Sequence, residues 1–380
     1  MCVPKILLVA ASLIALFVPP AQAADTIKVG AILAETGPAS FFGAPQARTL
    51  RMLLEDINAR GGINGKAVEL ILRDTESDPQ KAIAYTRQLI NGEGVFAIIG
   101  PSTSDETMAV KNIAEEGKTI LISCAAGETI VNPVAKYVFK TPPMDRHAVI
   151  RVLEHLKKKG LSRIGVLSSK TEFGRTGKAL IAKLAPEYGI QAALSESYDK
   201  AATDFTPQVA RIKAADVQAL VNWSLEPTQV VVLRSARKVG FTAPIFQSHG
   251  FGSMNYVKAA GADAEGVIFP GGRLLVADEL SARNPQKTVL LACKKAYEDR
   301  FKEEVTTFGG HAYDAMKILE QAMKASGAVA DREKVRTTIE NMKGLVGNAG
   351  IYNFSPADHN GLDSNAFEML TVKDGKFTVM

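Results

Sequence analysis

Short apolar runs alternate with amphipathic segments along most of the chain. The runs TIKVGAIL (26–33), VFAIIG (95–100) and RIGVLSS (163–169) are mostly apolar, which is typical of strands buried on both faces. The segments between such runs, for example SDETMAVKNIAEEGK (104–118), have the spacing of amphipathic helices. This regular alternation predicts an α/β fold with parallel sheets that helices cover on both sides.

The alternation falls into two stretches of similar length, 25–140 and 142–250. The segment KTPPMDR (140–146) separates them, and its prolines would stop a helix. We therefore predict two doubly wound parallel-sheet lobes with a crossing between them at this point. After residue 270 come further helical patterns, and then a β-rich tail in which KDGK (373–376) predicts a hairpin turn.

The first residues have the features of an export signal. Lys5 precedes the apolar run ILLVAASLIALFV (6–18), and Ala21-Gln22-Ala23 fits the small-x-small cleavage rule. The alternative is a membrane anchor, but the run is short for a bilayer-spanning helix. We expect residues 1–23 to be a cleaved signal peptide and the mature protein to be periplasmic.

Composition and motifs argue against several functional classes. The chain has 45 Lys and Arg against 40 Asp and Glu, without the block of like charges that favours nucleic acid. Its five histidines are scattered singly, so we expect neither a metal site nor another cofactor, and partial matches to phosphate-binding loops have the wrong spacing. With no nucleophile-elbow motif either, we expect a protein that is not an enzyme. We expect Cys124 and Cys293 to be unpaired, buried thiols.

Two neighbouring strands are followed by loops that suit an anion. The first loop, GPSTS (100–104), offers the hydroxyls of Ser102, Thr103 and Ser104 before a predicted helix, and the second, SCAAGE (123–128), is rich in small residues. Ligands of open α/β sheets lie at the carboxyl ends of strands, so both loops are expected to face one site. Hydroxyls, helix N-terminal amides and an accessible backbone would form a neutral cradle for a carboxylate. The alternative for these hydroxyls is helix capping, with Thr103 and Glu106 as a capping box.

Specific motifs then indicate a family. The segments that carry the likeness are GPASFFG, GGINGK, DTESDP, IIGPSTS, VFKTP, FGRTGKALIAKLAPEYG, VNWS, QSHGFGS, FGGHAYDAM and NFSPADHNG, in this order. In them the chain resembles the type I periplasmic solute-binding proteins of ABC importers. Within that group it is similar to the Leu/Ile/Val-binding family and, more closely, to its branch that takes up aromatic acids. The resemblance extends over essentially the whole mature chain.

The resemblance implies a two-lobed clamshell in which the chain crosses between lobes three times. We expect the crossings near Thr141, Pro270 and Val346. The N-terminal lobe would then comprise residues 24–141 and 271–345, and the C-terminal lobe residues 142–270 and 346–380.

The resemblance also implies a ligand site. In the family a serine at the position of Ser104 holds the ligand carboxylate, with help from the backbone of the next loop, here Ala125, Ala126 and Gly127. Where amino-acid binders carry an acid for the ligand ammonium, this chain has His249. Aromatic residues stand at further pocket positions, although burial in a core is the alternative for each of them: Phe41, Phe42, Phe173, Trp223 and Phe308.

These expectations define a binding protein. We expect it to capture a small carboxylate, an aromatic acid above all, and to deliver it as a monomer to an ABC permease in the inner membrane, with no role in nucleic-acid binding. One alternative is a branched-chain amino acid binder of the same transporter class, for which Glu226 is a candidate ammonium partner. Another is a ligand sensor that uses the same clamshell.

Overall fold

The computed structural model describes residues 26–380, so the predicted signal peptide at 1–23 lies outside the described residues. Strands and helices alternate as the apolar pattern predicts. The strands are β1 (Ile27–Leu33), β2 (Val68–Asp74), β3 (Ala97–Ile99), β4 (Ile120–Ser123), β5 (Val138–Lys140), β6 (Arg163–Ser169), β7 (Gln191–Tyr198), β8 (Ala219–Trp223), β9 (Ile245–Gln247), β10 (Ile268–Gly272), β11 (Lys343–Val346), β12 (Ile351–Asn353), β13 (Phe367–Lys373) and β14 (Lys376–Val379).

The helices that cover these strands vary in length from 7 to 20 residues. They are α1 (Ser40–Ala59), α2 (Pro79–Arg87), α3 (Ser104–Glu116), α4 (Asp145–Lys158), α5 (Glu172–Leu184), α6 (Thr206–Ala214), α7 (Thr228–Lys238), α8 (Met254–Ala260), α9 (Lys287–Phe301), α10 (Thr307–Ser326) and α11 (Arg332–Glu340). Several begin at a side-chain cap, such as Asp78 before α2 and Thr306 before α10. Among the described residues, no helix is long and apolar enough to cross a membrane.

The first sheet is entirely parallel and has the strand order β2-β1-β3-β4-β5. The order reverses between β1 and β3, and such a switch point opens a crevice at the carboxyl ends of the strands. The loops that follow β1, β3 and β4 therefore converge there. These include the two loops that the sequence predicts to face one site.

The second sheet has the order β14-β13-β10-β9-β8-β6-β7. Strands β6 to β10 are parallel, whereas β13 pairs antiparallel with both β10 and β14. The turn between β13 and β14 contains Asp374 and Gly375, both with positive φ, as the predicted hairpin requires. The prediction of two doubly wound α/β lobes is confirmed.

The packing bears on the third crossing between the lobes. Residues that follow the expected crossing at Val346, among them Tyr352, Phe354 and Ala366, belong to the core around the first sheet. Phe367 is the first residue of the tail to pack in the core around the second sheet. We therefore propose that the third crossing lies between Ala366 and Phe367 rather than near Val346.

Three strands, β5, β7 and β11, are not among those predicted from the sequence. Strand β7 lies at an edge of the second sheet, where its mixed residues QAALSESY are only partly buried. Strand β5 has three residues and pairs with β4. Cys124 and Cys293 are free and buried, as expected.

Candidate functional site

A cavity of about 280 Å³ lies between the two lobes. The first lobe contributes the loop after β1, the loop after β2 and the start of α3, while the second contributes the start of α5 and the segment after β8. The cavity is lined by Pro38, Ala39, Phe42, Ser77, Pro79, Thr103, Ser104, Asp105, Thr171, Phe173, Lys200, Leu225 and Glu226. A ligand here would touch both lobes at once.

Ser104 is the first residue of α3 and is almost fully buried. Its Oγ accepts a hydrogen bond from the Gly127 backbone nitrogen at 3.1 Å. A Cβ at Gly127 would lie 2.7 Å from this oxygen, so a larger residue there would displace the Ser104 hydroxyl. Because Oγ accepts from the protein, its own proton is available to donate to a ligand carboxylate near the positive end of α3.

The other two hydroxyls of the loop have partners within the protein. Ser102 Oγ accepts from the Ala34 backbone nitrogen at 3.0 Å and donates to Gln46 Oε1 at 2.6 Å, and Ser102 does not line the cavity. Thr103 lines the cavity and also caps α3, since its Oγ1 accepts from the Glu106 backbone nitrogen and donates to Glu106 Oε2. The capping box is therefore present, and Ser104 is left as the hydroxyl best placed for a ligand.

The loop after β4 is held from both sides. The Ala125 nitrogen donates to Ser123 Oγ at 3.1 Å, and the Ala126 carbonyl accepts from Lys140 Nζ at 2.7 Å. These bonds fix the loop that contacts Ser104 through Gly127. A role of Ala125, Ala126 and Gly127 in direct ligand contact stays a prediction.

The aromatic residues predicted in the first lobe make different contacts. Phe42 lines the cavity and packs at 50° against Phe308, with ring centroids 5.3 Å apart. Phe41 is not among the residues that line this cavity, and it stacks on Tyr256 of the second lobe, with centroids 5.2 Å apart and an interplanar angle of 5°. Phe42 therefore forms part of the cavity wall and Phe308 packs against it, whereas Phe41 forms a contact between the lobes.

In the second lobe Phe173, Trp223 and His249 form one aromatic cluster. The ring of Phe173 lies 5.9 Å from that of Trp223 and 5.2 Å from that of His249, and Trp223 and His249 are 5.7 Å apart. Phe173 lines the cavity, whereas Trp223 is fully buried behind it. Trp223 therefore packs behind the residues that form the cavity wall. The sequence predicts instead that its ring lines the cleft.

His249 lies in a buried polar cluster that includes a residue missed at the sequence level. Its Nε2 is 3.4 Å from Oδ1 of Asp145, the first residue of α4. Burial, together with the charges of the nearby Lys140 and His311, lowers the pKa of His249 to about 3, so its imidazole is neutral. The position of Asp145 directly after the predicted crossing KTPPM is the one signal that could have drawn attention to it.

Opposite charges share this buried region. Burial raises the pKa of Asp145, and the Lys140 ammonium opposes that rise. Burial lowers the pKa of Lys140 to about 8, and Asp145 is the strongest opposing charge. Among residues 26–380 no group of His, Cys, Asp and Glu is arranged to hold a metal ion.

The comparisons with known proteins agree with this architecture. The sequence profile of the family described as periplasmic binding protein matches residues 26–376. The Leucine-, isoleucine-, valine-, threonine-, and alanine-binding protein of Pseudomonas aeruginosa is 28% identical over 333 residues, which are 86% of each chain.

Solved structures show the same fold over nearly the whole length. An extracellular ligand-binding receptor from Rhodopseudomonas palustris HaA2 superimposes with a TM-score of 0.88 at 30% identity, over 94% of this chain and 100% of that one. A branched-chain amino acid transporter substrate binding protein from Streptococcus pneumoniae, in complex with isoleucine, gives 0.82 at 25% identity, over 93% and 98% of the two chains. The chain therefore belongs to the periplasmic binding protein family.

Proposed function

We propose that this protein is the periplasmic substrate-binding component of an ABC importer and that it captures an aromatic carboxylate for delivery to the permease in the inner membrane. The observation that carries the proposal is that Ser104 lines the same cavity as Phe42 and Phe173. A hydroxyl at a helix start suits a carboxylate, and ring faces beside it suit a flat aromatic group.

The charges in the buried cluster around His249 favour a ligand acid that has no ammonium group. His249 is neutral, and Asp145 is already opposed by Lys140. A ligand ammonium near this cluster would add an unbalanced charge in a poorly solvated region, which is costly. An aromatic acid brings only its carboxylate, which Ser104 and the N-terminus of α3 can receive.

Titration of leucine, phenylalanine and 4-hydroxybenzoate tests the proposal. We expect 4-hydroxybenzoate to bind at least about tenfold more tightly than leucine, a difference of roughly 1.4 kcal/mol. Isothermal titration calorimetry of the mature protein measures all three affinities. Tight leucine binding without any response to the benzoate would contradict the aromatic-acid proposal and leave the family assignment intact.

A second candidate function is the binding of a branched-chain amino acid, which one observation favours. Glu226 lines the cavity, so its carboxylate is placed to receive a ligand ammonium. If this candidate is right, Glu226→Gln abolishes leucine binding, whereas Glu187→Gln on the exposed surface changes nothing. Under the aromatic-acid proposal, Glu226→Gln leaves the affinity for 4-hydroxybenzoate within about threefold of the wild type, because a ligand without an ammonium offers this carboxylate no positive charge to pair with.

A further inference from the structure

A second, much smaller cavity is lined by residues from both lobes. It is lined by Pro143, His249, Gly272, His311, Asn348 and Phe367, among others, and has a volume of about 20 Å³. That is room for one group the size of a water molecule. Phe173, which lines the larger cavity, contacts the ring of His249, so the two cavities flank the same aromatic cluster.

Several polar atoms around this small cavity have no hydrogen-bond partner within residues 26–380. They are both ring nitrogens of His249, Nδ1 of His311 and Oδ1 of Asn348; His249 Nε2 lies 3.4 Å from Asp145 Oδ1, but the two atoms form no hydrogen bond. The three side chains belong to residues that are no more than 9% exposed. Buried polar groups without a partner are expensive, and a cluster of them around one cavity points to a missing polar group.

The orientation of the Asn348 amide is set by its neighbour. Its Nδ2 donates to Asp314 Oδ1 at 3.2 Å, and its backbone nitrogen donates to the same oxygen at 2.6 Å. The amide oxygen is therefore the atom left without a partner, and it can only accept a hydrogen bond.

The two histidines supply both kinds of hydrogen-bonding atom. Burial, together with the charge of Lys140, lowers the pKa of His249 and that of His311 to about 3, so both imidazoles are neutral. A neutral imidazole has one N–H donor and one bare nitrogen acceptor. The cavity thus presents donors and acceptors together. A hydroxyl matches this set, because it donates one hydrogen bond and accepts others. An ammonium only donates, and a methyl group does neither.

We infer that this cavity receives a single hydroxyl group of the ligand, so that the preferred ligands are hydroxylated aromatic acids. The inference rests on the proposed function and narrows its substrate class. His249 follows β9 in the second lobe, whereas His311 lies in α10, which packs in the core of the first. A hydroxyl held between them would bridge the lobes and so favour the closed arrangement.

Matched pairs of acids test the inference. The pairs are 4-hydroxybenzoate with benzoate and 4-hydroxycinnamate with cinnamate, which differ within each pair by the hydroxyl alone and between pairs in length. We expect the hydroxyl to improve the affinity at least about tenfold in one pair or both, because sites built around a hydroxyl reject analogues that lack it. Calorimetric titration of the wild-type protein measures this gain without any variant.

Variants of the cavity then locate the hydroxyl. In Asn348→Ala and His311→Leu we expect the gain from the hydroxyl to fall below about threefold, while the affinity for the acid without a hydroxyl changes by less than that. His155→Leu is the matched control, since His155 also has a buried ring nitrogen without a partner but lines neither cavity. Thermal unfolding of each variant shows whether it is folded.

The possible results separate the two claims. If benzoate and cinnamate bind and the hydroxyl adds nothing in wild type, the inference is wrong and the proposed function stands. If the gain persists in both cavity variants, the hydroxyl binds elsewhere and the inference is again wrong. If leucine binds and no aromatic acid does, the proposed function is wrong and the inference with it.

Discussion

Three neighbouring hydroxyls after β3 have three different roles. Ser102 joins two buried groups from other parts of the first lobe, Thr103 caps α3, and Ser104 faces the cleft and contacts the next loop. Capping accounts for one hydroxyl, as it does at most helix starts. The other two are explained by contacts that form only when β1, β3 and β4 lie side by side.

This division predicts different effects of two alanine substitutions. Ser104→Ala should lower the ligand affinity about tenfold to hundredfold, equivalent to roughly 1.5–3 kcal/mol, because a bond to an ionised carboxylate is lost. Ser102→Ala should instead lower the free energy of unfolding by about 1–3 kcal/mol, because it leaves Gln46 and Ala34 without a buried partner. Calorimetric titration measures the first effect and denaturant unfolding the second. Unchanged affinity in Ser104→Ala would remove Ser104 from the site.

The buried histidines give the folded state a defined dependence on pH. The pKa of His311 is lowered from 6.5 to about 3 by burial and by Lys140. Between these values the unfolded chain binds the proton and the folded protein does not, so this residue costs stability as the pH falls below 6.5.

His311→Leu should therefore be relatively more stable in acid. The free energy of unfolding of the wild type, minus that of the variant, should decrease by about 1.5–2 kcal/mol between pH 6.5 and pH 5, at roughly 1.4 kcal/mol per pH unit. Denaturant unfolding at several pH values measures the difference, in which the contributions of other titrating groups cancel. A difference that stays constant with pH would show that His311 is not held neutral in the folded protein.

At the scale of elements, α5 is pressed against the end of β8. A Cβ at Gly177 of α5 would lie 2.0 Å from Trp223 Nε1, far closer than any real contact. The indole in turn packs on Phe173, the first aromatic residue of the same helix. One glycine therefore sets how closely a helix of the second lobe approaches the aromatic wall of the cleft.

Gly177→Ala should displace the indole ring. We expect a loss of about 1–3 kcal/mol in the free energy of unfolding, a shifted emission of Trp223, and weaker ligand binding through Phe173 and His249. Because Trp223 is the chain's one tryptophan, fluorescence reports it directly. Ala179→Ser, at an exposed position of the same helix, is the control and should change none of these quantities. An unchanged emission spectrum in Gly177→Ala would contradict the close packing.

On the scale of the whole molecule, several side-chain contacts join the two lobes. Asp105 of α3 accepts a hydrogen bond from the Glu172 nitrogen at the start of α5, at 3.1 Å. Phe41 stacks on Tyr256, and Lys258 forms an ion pair with Glu304 at 3.4 Å. We expect the contact of Asp105 to be the strongest of the three. Its carboxylate accepts a hydrogen bond from a backbone amide and also interacts with the positive end of the α5 dipole.

Asp105→Ala should shift the equilibrium towards the open form. We expect an affinity loss of about fivefold, corresponding to roughly 1 kcal/mol for one helix-terminal contact, and a larger radius of gyration without ligand. Small-angle X-ray scattering with and without ligand measures the opening. Asp199→Ala removes an exposed carboxylate that bonds only the nearby Ala201 nitrogen among the described residues, and it should leave both quantities unchanged. Equal radii for Asp105→Ala and wild type would show that this contact does not hold the lobes together.

The sequence alone determined the alternation of strands and helices, the two lobes and the loops that meet at the cleft. These features depend on local periodicity, capping residues and the rule that ligands lie at the carboxyl ends of parallel strands. The edge strand β7 was not predicted from the sequence, because its polar, half-buried residues lack the apolar run that is typical of the central strands. The same local reasoning correctly placed Thr103 at the cap of α3.

The tertiary structure alone decided which side chains meet. Ser102 bonds Gln46, which is 56 residues earlier in the chain, and His249 approaches Asp145, which belongs to a different helix. Such partners cannot be found from spacing, because the contacts depend on how lobes and crossings pack. For the same reason, Trp223 lies behind the cavity wall, and Tyr352, Phe354 and Ala366 pack in the core around the first sheet, since burial is a property of the assembled core rather than of any one segment.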